Sequence, residues 1–186
     1  MLLRPTVPPA DVLLFSLATG LAVHAAVREI DSRLTPDLKW PNDLLIEGKK
    51  FCGILTEMNA EVTRVRYVVA GIGLNVNQTG FPPELAKIAT SLRMVSGSEW
   101  SRVELCAALL KSLDREYRGL QGDADARPSI LRRFSERSSS VRGVHVHVDE
   151  NGGYEGITEG LDERGFLQVR TDNGTRTVLS GTLRVQ

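Results

Sequence analysis

Cationic, carboxylate and amide side chains lie close together in the sequence between Lys39 and Leu55. Those that bear on a binding site are the cations Lys39 and Lys50, the carboxylate Asp43 and the amide Asn42. Lysine and amide side chains can hold phosphate or carboxylate oxygens, and a carboxylate can hold a hard metal ion. These residue types therefore suit an anionic, phosphate-bearing ligand and its metal ion.

The same stretch predicts a β-hairpin that would bring these side chains together. Apolar arms at 44–46 and 51–55 flank a turn at 47–49. Because residues at equal distances from a turn face each other across a hairpin, Lys50 should return beside the strand that Asp43 begins. An exposed hairpin whose charges are only solvated is the alternative that these residues leave open.

Two further residues give the predicted hairpin properties of a binding site. Pro41 fixes its own φ angle and disfavours the helical region for Trp40, so we expect a stiff, extended backbone at the entrance. Gly53 has no Cβ, so a ligand or a second backbone can approach it closely. A site of this kind would be preorganised before any ligand binds.

This stretch, with a later one, closely resembles the core motif of biotin protein ligases. In that family a Lys-Trp-Pro-Asn-Asp run precedes a Lys-x-x-Gly-Ile-Leu run, and here they are Lys39–Asp43 and Lys50–Leu55. A third family element, Ala-Gly-Ile-Gly-Leu-Asn-Val-Asn, follows as Ala70–Asn77. All three stand in the family's order, which makes the resemblance specific.

The resemblance implies an ATP-dependent reaction in two steps. The carboxylate of biotin attacks the α-phosphorus of ATP and gives biotinyl-5'-AMP and pyrophosphate, with Mg²⁺ as the metal ion. A lysine of a biotin carboxyl carrier domain then takes the biotinyl group as an amide. Both steps develop charge on oxygen, so the protein must place cations and hydrogen-bond donors where that charge appears.

The resemblance also implies roles for individual residues. Lys50 is the expected catalytic residue, a point charge that holds carboxylate and α-phosphate oxygens. Asp43 is expected to bind Mg²⁺, which prefers oxygen ligands. The residues expected to bind biotin or the adenylate are Lys39, Trp40, Asn42, Asp43, Gly53, Ile54, Gly71, Gly73 and Asn75.

The order of predicted elements indicates an α/β (α+β) protein. Apolar spacing predicts a helix over 10–30, with Asp11 placed to cap its first turn. A strand is predicted over 64–75, and the capping box Ser101–Glu104 opens a helix that should end near Gly119. The resemblance implies a mixed β-sheet with packed helices, the class II synthetase-like fold of biotin and lipoate ligases.

Beyond Ser138 the sequence changes to short alternating segments separated by turn residues. So many strands in a short span predict a small barrel, and the resembled family carries a C-terminal SH3-like β-barrel. We therefore expect a catalytic domain at 1–138 and a barrel at 141–186. The expected strands are 143–148, 154–160, 166–170 and 176–180.

Composition narrows the classes of function. The 23 basic and 23 acidic residues give a net charge of zero, so no bulk basic field attracts nucleic acid. Cys52 and Cys106 lie in apolar contexts without Cys-x-x-Cys spacing, which predicts buried, reduced thiols. No apolar run reaches the roughly 18 residues of a membrane helix. A cytoplasmic protein without a DNA or membrane partner is expected.

The start of the chain bears on how active it should be. The resembled family carries a glycine- and arginine-rich loop, which folds over the adenylate, before the Leu-Arg-Pro found here at 3–5. We therefore expect impaired ligase activity and an open sheet edge near 2–5 that a homodimer could cover. The alternatives are a non-catalytic remnant that binds a carrier protein or dimerises, and a lipoate-attaching ligase.

Overall fold

The computed structural model describes residues 1–122, 125–150, 152–179 and 183–185, which form two β-sheets and four α-helices. The first sheet has the strand order β1-β5-β4-β3-β2. Its strands are β1 (Leu2–Leu3), β2 (Asp37–Lys39), β3 (Asp43–Ile46), β4 (Lys49–Ala60) and β5 (Val65–Leu74).

The fold class is confirmed, but within the described residues every pair of neighbouring strands in the first sheet is antiparallel rather than mixed. Strands β2 to β5 follow one another through short turns, and only antiparallel neighbours can be joined so directly. A parallel contact beside the sheet is confined to an isolated bridge between Lys50 and Ala89.

Helix α1 (Val12–Ile30) is the core helix of the protein. It is buried on most sides because it packs against the first sheet, α3 (Arg102–Gly122) and α4 (Ala126–Glu136). Burying a large apolar side chain contributes about 1.5–3 kcal/mol relative to leaving it exposed. The helix was expected from residue 10, but Pro9–Asp11 form a 3-10 turn instead.

The expected side-chain cap of α1 is wrong. Asp11 is the N-cap residue, yet its carboxylate makes no capping hydrogen bond. Instead its Oδ2 accepts a hydrogen bond from Arg127 Nη2 at 2.5 Å, and the aspartate is buried. The ion pair with α4 therefore takes the carboxylate that would otherwise have capped the helix.

Helix α1 also meets the length and composition of a membrane span, which the sequence-based expectation missed. Its 19 residues contain a window of mean hydropathy 1.4. However, 67% of that window is buried inside the protein. The core helix of a soluble domain passes the same test, so hydropathy alone does not assign α1 to a membrane.

The remaining helices agree in part with the sequence pattern. The Ser101 Oγ accepts a hydrogen bond from the Glu104 amide at 3.3 Å, as the capping box predicts. Helix α3 continues beyond Gly119, where it was expected to end. Helix α2 (Leu92–Ser96) was not predicted, because five residues are too few to show a periodic apolar pattern.

The second sheet is also antiparallel, with the strand order β10-β6-β7-β8-β9. All four expected strands are present, although Ser180 lies outside the described residues, and β10 was not predicted. The described strands are β6 (Arg142–Val148), β7 (Tyr154–Leu161), β8 (Leu167–Thr171), β9 (Gly174–Val178) and β10 (Leu183–Val185).

The two sheets share one continuous hydrophobic core. The junction between them is also tied down, because the Ser139 amide and hydroxyl both donate to the Asp37 carboxylate at 2.7 Å. Val141 is buried next to this junction. The boundary between a domain at 1–138 and one at 141–186 stays a prediction.

Candidate functional site

A row of four residues crosses the first sheet and defines its open face. Lys39 pairs with Asp43, Asp43 with Gly53, and Gly53 with Gly73. Directly opposed residues in antiparallel strands place their side chains on the same face. The alternate positions are buried on the opposite face, and they are Leu38, Leu44, Cys52 and Ile54.

Lys50 and Asp43 form an ion pair at the centre of this open face. The Lys50 Nζ lies 2.6 Å from the Asp43 Oδ1, and the two side chains are 48% and 24% exposed. A register shift between Leu44 and Leu45 places Lys50 opposite Leu45, and the lysine side chain reaches forward along its own strand to Gly53. The hairpin prediction that brought Lys50 beside Asp43 is confirmed.

Gly53 makes this ion pair possible. A Cβ at Gly53 would lie 3.1 Å from the Lys50 Cε, 3.2 Å from its Nζ and 3.6 Å from the Asp43 Oδ1. The first two distances are tighter than ordinary van der Waals contact, so any side chain here would push the lysine away. The glycine therefore gives the lysine its position above the strand.

The same face continues as a floor of glycines. Gly73 pairs with Gly53, and Gly71 pairs with Leu55, which is 62% exposed. A Cβ at Gly73 would have only the Gly53 carbonyl oxygen within 4 Å among the described residues, at 3.7 Å. The floor therefore leaves room for a flat ligand beside the lysine.

A cavity of about 360 Å³ opens beside Lys50, between the ends of β4 and β5 and the segment that follows β5. The backbone of Lys50 fixes that segment, since its amide donates to the Ile88 carbonyl at 2.8 Å and its carbonyl accepts from Thr90 at 2.9 Å. The lining residues are Lys50, Phe51, Cys52, Gly53, Gly73, Leu74, Asn75, Leu85, Ile88 and Ala89.

Asn75 lies at the end of β5, on the wall of this cavity. Its amide donates to the Phe51 carbonyl at 2.8 Å, and its carbonyl accepts from Leu92 at 3.0 Å. The side-chain Oδ1 accepts a long hydrogen bond of 3.4 Å from Gln78. The backbone of Asn75 is therefore held from both sides at the wall of the cavity.

Cys52 has no nucleophilic role in this cavity. Burial raises the pKa of its thiol to about 12, and the nearby Asp43 carboxylate acts in the same direction. The thiol is therefore neutral at ordinary pH. Both cysteines are free, but Cys106 is exposed, so the expectation that both are buried is wrong for that residue.

Trp40 and Ile54 are not on the open face. Their side chains are only 2% and 3% exposed and lie in the core. Ile54 also lines a cavity of about 450 Å³ together with Asn42 and Leu55. The Trp40 Nε1 donates instead to the Gly165 carbonyl, next to the second sheet, at 2.9 Å. Both residues were expected to contact the ligand, and that expectation stays a prediction.

Asn42 lies in the turn before β3, next to the row of residues that crosses the sheet. Its Nδ2 donates to the Ile54 carbonyl at 2.7 Å, and its own carbonyl accepts from the Ile54 amide at 2.8 Å. Residues Trp40–Asn42 form the turn between β2 and β3, with a cis peptide between Trp40 and Pro41. The expected extended entrance is wrong, because Lys39 pairs with Asp43 and the chain must reverse between them.

Sequence reasoning missed the apolar wall formed by Leu85, Ile88 and Ala89. The spacing of Leu85 and Ile88 after a Pro-Pro pair was the available signal. It missed the Trp40–Gly165 contact as well, because the two residues are 125 positions apart and neither carries a local pattern that points to the other.

Asp43 is the carboxylate at the centre of the site, and no group of three His, Cys, Asp or Glu residues within the described ranges is placed to hold a metal. A single carboxylate would give a metal ion only one protein ligand group. It fits Mg²⁺, which keeps several waters and is commonly held by one or two carboxylates together with substrate phosphates.

Two family models match the chain. The Biotin/lipoate A/B protein ligase family matches residues 2–75, which contain the open face, and the Biotin protein ligase C terminal domain matches residues 142–182. The fold and the two matches together place the chain in the class of biotin and lipoate ligase proteins, with an SH3-like C-terminal module.

Similar proteins narrow this class. The bifunctional ligase/repressor BirA of Bacillus subtilis is 34% identical over 190 residues, which cover 100% of this chain and 57% of that protein. The biotin--[acetyl-CoA-carboxylase] ligase of Mycobacterium tuberculosis is 36% identical over 168 residues, covering 88% and 58%. The chain belongs to the biotin protein ligase family, and it spans a little over half the length of these curated relatives.

A solved structure supports the same conclusion. The biotin protein ligase from Aquifex aeolicus in complex with biotin and ATP superposes with a TM-score of 0.81 and is 28% identical. The match covers 97% of this chain and 75% of that one. The two sheets therefore belong to a known ligase architecture.

Proposed function

We propose that this chain is an ATP-dependent ligase that forms biotinyl-5'-AMP and transfers biotin to a lysine of a biotin carboxyl carrier protein. The observation that carries the proposal is the Lys50–Asp43 pair, 2.6 Å apart above a floor of glycines. The names of the relatives support biotin over other acids. The motif Lys39–Asp43, by which the chain resembles the family, supplies the aspartate of this pair.

Lys50 is proposed to act in the first step. Its ammonium group is exposed to the open face and can hold the biotin carboxylate against the α-phosphate, where negative charge accumulates as the bond to phosphorus forms. Pyrophosphate leaves as the mixed anhydride forms. Lys39 lies in the same row of the sheet and offers a second positive charge for phosphate oxygens.

The cavity beside Lys50 is proposed to take the nucleotide. Leu85, Ile88 and Ala89 give it an apolar wall suited to a planar base, and Asn75 supplies an amide near the phosphates. Mg²⁺ would reach the site with ATP, and Asp43 would hold it with phosphate oxygens as its other ligands. The Asp43 Oδ2 would be the oxygen offered to the ion, because Oδ1 holds Lys50.

The transfer step is proposed to occur on the same open face. The amine of the carrier lysine attacks the biotinyl carbonyl carbon, AMP leaves with the bonding electrons, and the amine loses a proton as the amide forms. Strand β3 pairs with β4 only as far as Gly53, so the part of β4 from Leu55 to Ala60 pairs with no described strand on that side. A carrier protein or a second copy of this chain could add a strand there.

No DNA partner is proposed, because the net charge of zero gives no basic field for a nucleic acid. The cytoplasm is the proposed compartment. Free thiols at Cys52 and Cys106 support it, since reduced cysteines persist where glutathione and thioredoxin keep the compartment reducing.

Calorimetric titration with biotin and with lipoate, each in the presence of ATP and Mg²⁺, tests the proposal, followed by a pyrophosphate-release assay with the same acids. We expect binding and pyrophosphate release with biotin and not with lipoate. Turnover of lipoate alone would identify a lipoate ligase. Failure to bind either acid, with retained binding of a carrier domain or dimerisation, would identify a non-catalytic module.

A further inference from the structure

A buried indole joins the turn between β2 and β3 to the second sheet. Trp40 starts the turn between β2 and β3, and its side chain is 2% exposed. Its Nε1 donates to the carbonyl of Gly165, which lies in the loop between β7 and β8. A buried donor and a buried acceptor that satisfy each other are costly to separate. The contact therefore couples two parts of the protein that are distant in sequence.

The β7–β8 loop, residues 162–166, is built to hold that carbonyl in one place. The Asp162 Oδ1 accepts from the amides of both Arg164 and Phe166 at 2.9 Å. The Gly165 amide donates to the Asp162 carbonyl at 3.0 Å, and the Asp162 amide donates to the Phe166 carbonyl at 2.8 Å. With these bonds closed inside the loop, the direction of the Gly165 carbonyl is fixed.

The loop also packs against helices α1 and α4. Gly165 has a φ of +89°, and a Cβ there would lie 2.9 Å from the Leu17 Cδ1, 3.5 Å from the Leu131 Cδ2 and 3.7 Å from the Leu13 Cδ2. Both the backbone conformation and the space favour glycine. Any side chain at Gly165 would force the loop or the buried Leu17 side chain to move.

On its other side, Trp40 leads directly into the site. The carbonyl of the next residue, Pro41, accepts a hydrogen bond from the Ser16 Oγ at 3.3 Å. Asn42 is bonded to Ile54 through both its carbonyl and its side chain. Asp43 follows and holds Lys50. The position of the indole therefore sets the position of the turn and of the carboxylate that orients the lysine.

We infer that the β7–β8 loop is a positioning element for the Lys50–Asp43 pair and that Trp40, as a positioning residue, transmits its effect through the turn at 40–42. The catalytic consequence rests on the proposed function. The structural consequence does not, because the Trp40–Gly165 bond and the turn exist without any substrate.

Gly165→Ala tests the inference, and Gly174→Ala is its matched control. Gly174 lies in the same sheet with a φ of +104°, and no atom of the described residues lies within 4 Å of the place that a Cβ would take. Alanine there adds comparable backbone strain without touching α1. We expect Gly165→Ala to lower kcat for adenylate formation by roughly ten- to a hundredfold, since small misplacement of reacting groups has effects of that size. The KM for biotin should change less than kcat, and Gly174→Ala should behave as wild type.

Trp40→Phe tests the same link without turnover. Phenylalanine fills most of the space but has no N–H, so the Gly165 carbonyl loses its donor. We expect the Ile54 amide, which is bonded to Asn42, to exchange its hydrogen about tenfold faster. The reason is that losing one hydrogen bond lowers the free energy of local opening by an amount that corresponds to about this factor. The Val169 amide in the second sheet should exchange as in wild type.

Either of two results would overturn the inference. One is wild-type exchange at Ile54 in both Trp40→Phe and Gly165→Ala. The other is an equal loss of kcat in Gly165→Ala and Gly174→Ala, which would mean that the second sheet affects catalysis only through the overall stability of the protein. Were the wild-type chain inactive with biotin, the proposed function would fail, and the exchange of Ile54 would still decide the positioning role.

Discussion

Trp40 and Lys50 belong to the same short segment of sequence, yet they lie in opposite surroundings. The Trp40 side chain is buried in the core and bonded to the β7–β8 loop, whereas the Lys50 side chain is half exposed on the open face. The segment thus divides into residues that lie on the open face and residues that pack in the core.

Two glycines show the same division. Gly53 leaves space for the Lys50 side chain to cross the strand, and Gly165 leaves space for a loop to reach α1. Substituting the first should disturb the ligand site directly. Substituting the second should disturb it only by moving the hairpin.

The largest expected effect separates Trp40 from Lys50 by stability. Trp40→Ala should lower the free energy of unfolding by about 3–5 kcal/mol, because it removes a buried indole and leaves a cavity. Lys50→Ala should stay within about 0.5 kcal/mol of wild type, as expected for an exposed side chain. Denaturant unfolding of both variants measures the difference. Equal destabilisation of the two variants would contradict the expected difference between Trp40 and Lys50.

The second effect separates them by chemistry. Lys50→Ala should lower adenylate formation by roughly 10²-fold or more, the usual consequence of removing a group that stabilises charge in the transition state. Lys49→Ala, one residue away at the start of β4, is the control and should retain activity. The measurement is pyrophosphate release with saturating ATP. Near-normal turnover in Lys50→Ala would remove it from the catalytic role.

A smaller effect is expected at the glycine floor. Gly53→Ala adds a methyl group that meets the flexible end of Lys50, so the lysine can shift by a few tenths of an ångström at a moderate cost. We expect a loss of roughly tenfold in kcat/KM for biotin, in keeping with displaced reacting groups. Gly80→Ala is the control because no described atom lies within 4 Å of its added methyl. Identical values for both variants would mean that the floor carries no ligand.

The smallest effect concerns the two thiols. Burial raises the pKa of Cys52 to about 12, so at pH 8 its thiol stays protonated and inaccessible. Cys106 is exposed, and at the same pH it should react with a thiol reagent in the native protein. Mass spectrometry of the labelled protein should find one modification, at Cys106. Labelling of Cys52 at a similar rate would show that the core beneath the open face is not closed.

Much of the site could be predicted because its residues are close in sequence. The turn and the apolar arms placed Lys50 beside Asp43, and strand pairing then placed Gly53 in the same row. Alternation predicted the strand that carries Gly73, and the family resemblance associated that strand with the site. Local alternation and turn chemistry carry this information.

The parts that were missed depend on pairing or packing with another segment of the chain. Strand β2 has three residues and shows no pattern of its own, and it exists because β3 provides a partner. The burial of Trp40 depends on a loop far along the chain, and the exposure of Cys106 depends on which face of α3 meets α1. Tertiary packing decides such features, and a local pattern does not contain it.

The glycine floor beside Lys50 is the proposed binding site of the ligand. Trp40 is proposed to position this face from the core of the protein, without contacting the ligand. The most direct test of this division is a titration of the ¹⁵N-labelled chain with a non-hydrolysable biotinyl-adenylate analogue. We expect large chemical-shift changes at the amides of Lys50, Gly53 and Gly73, with little change at the Trp40 indole N–H. Large changes at the indole, with none at the two glycines, would contradict it.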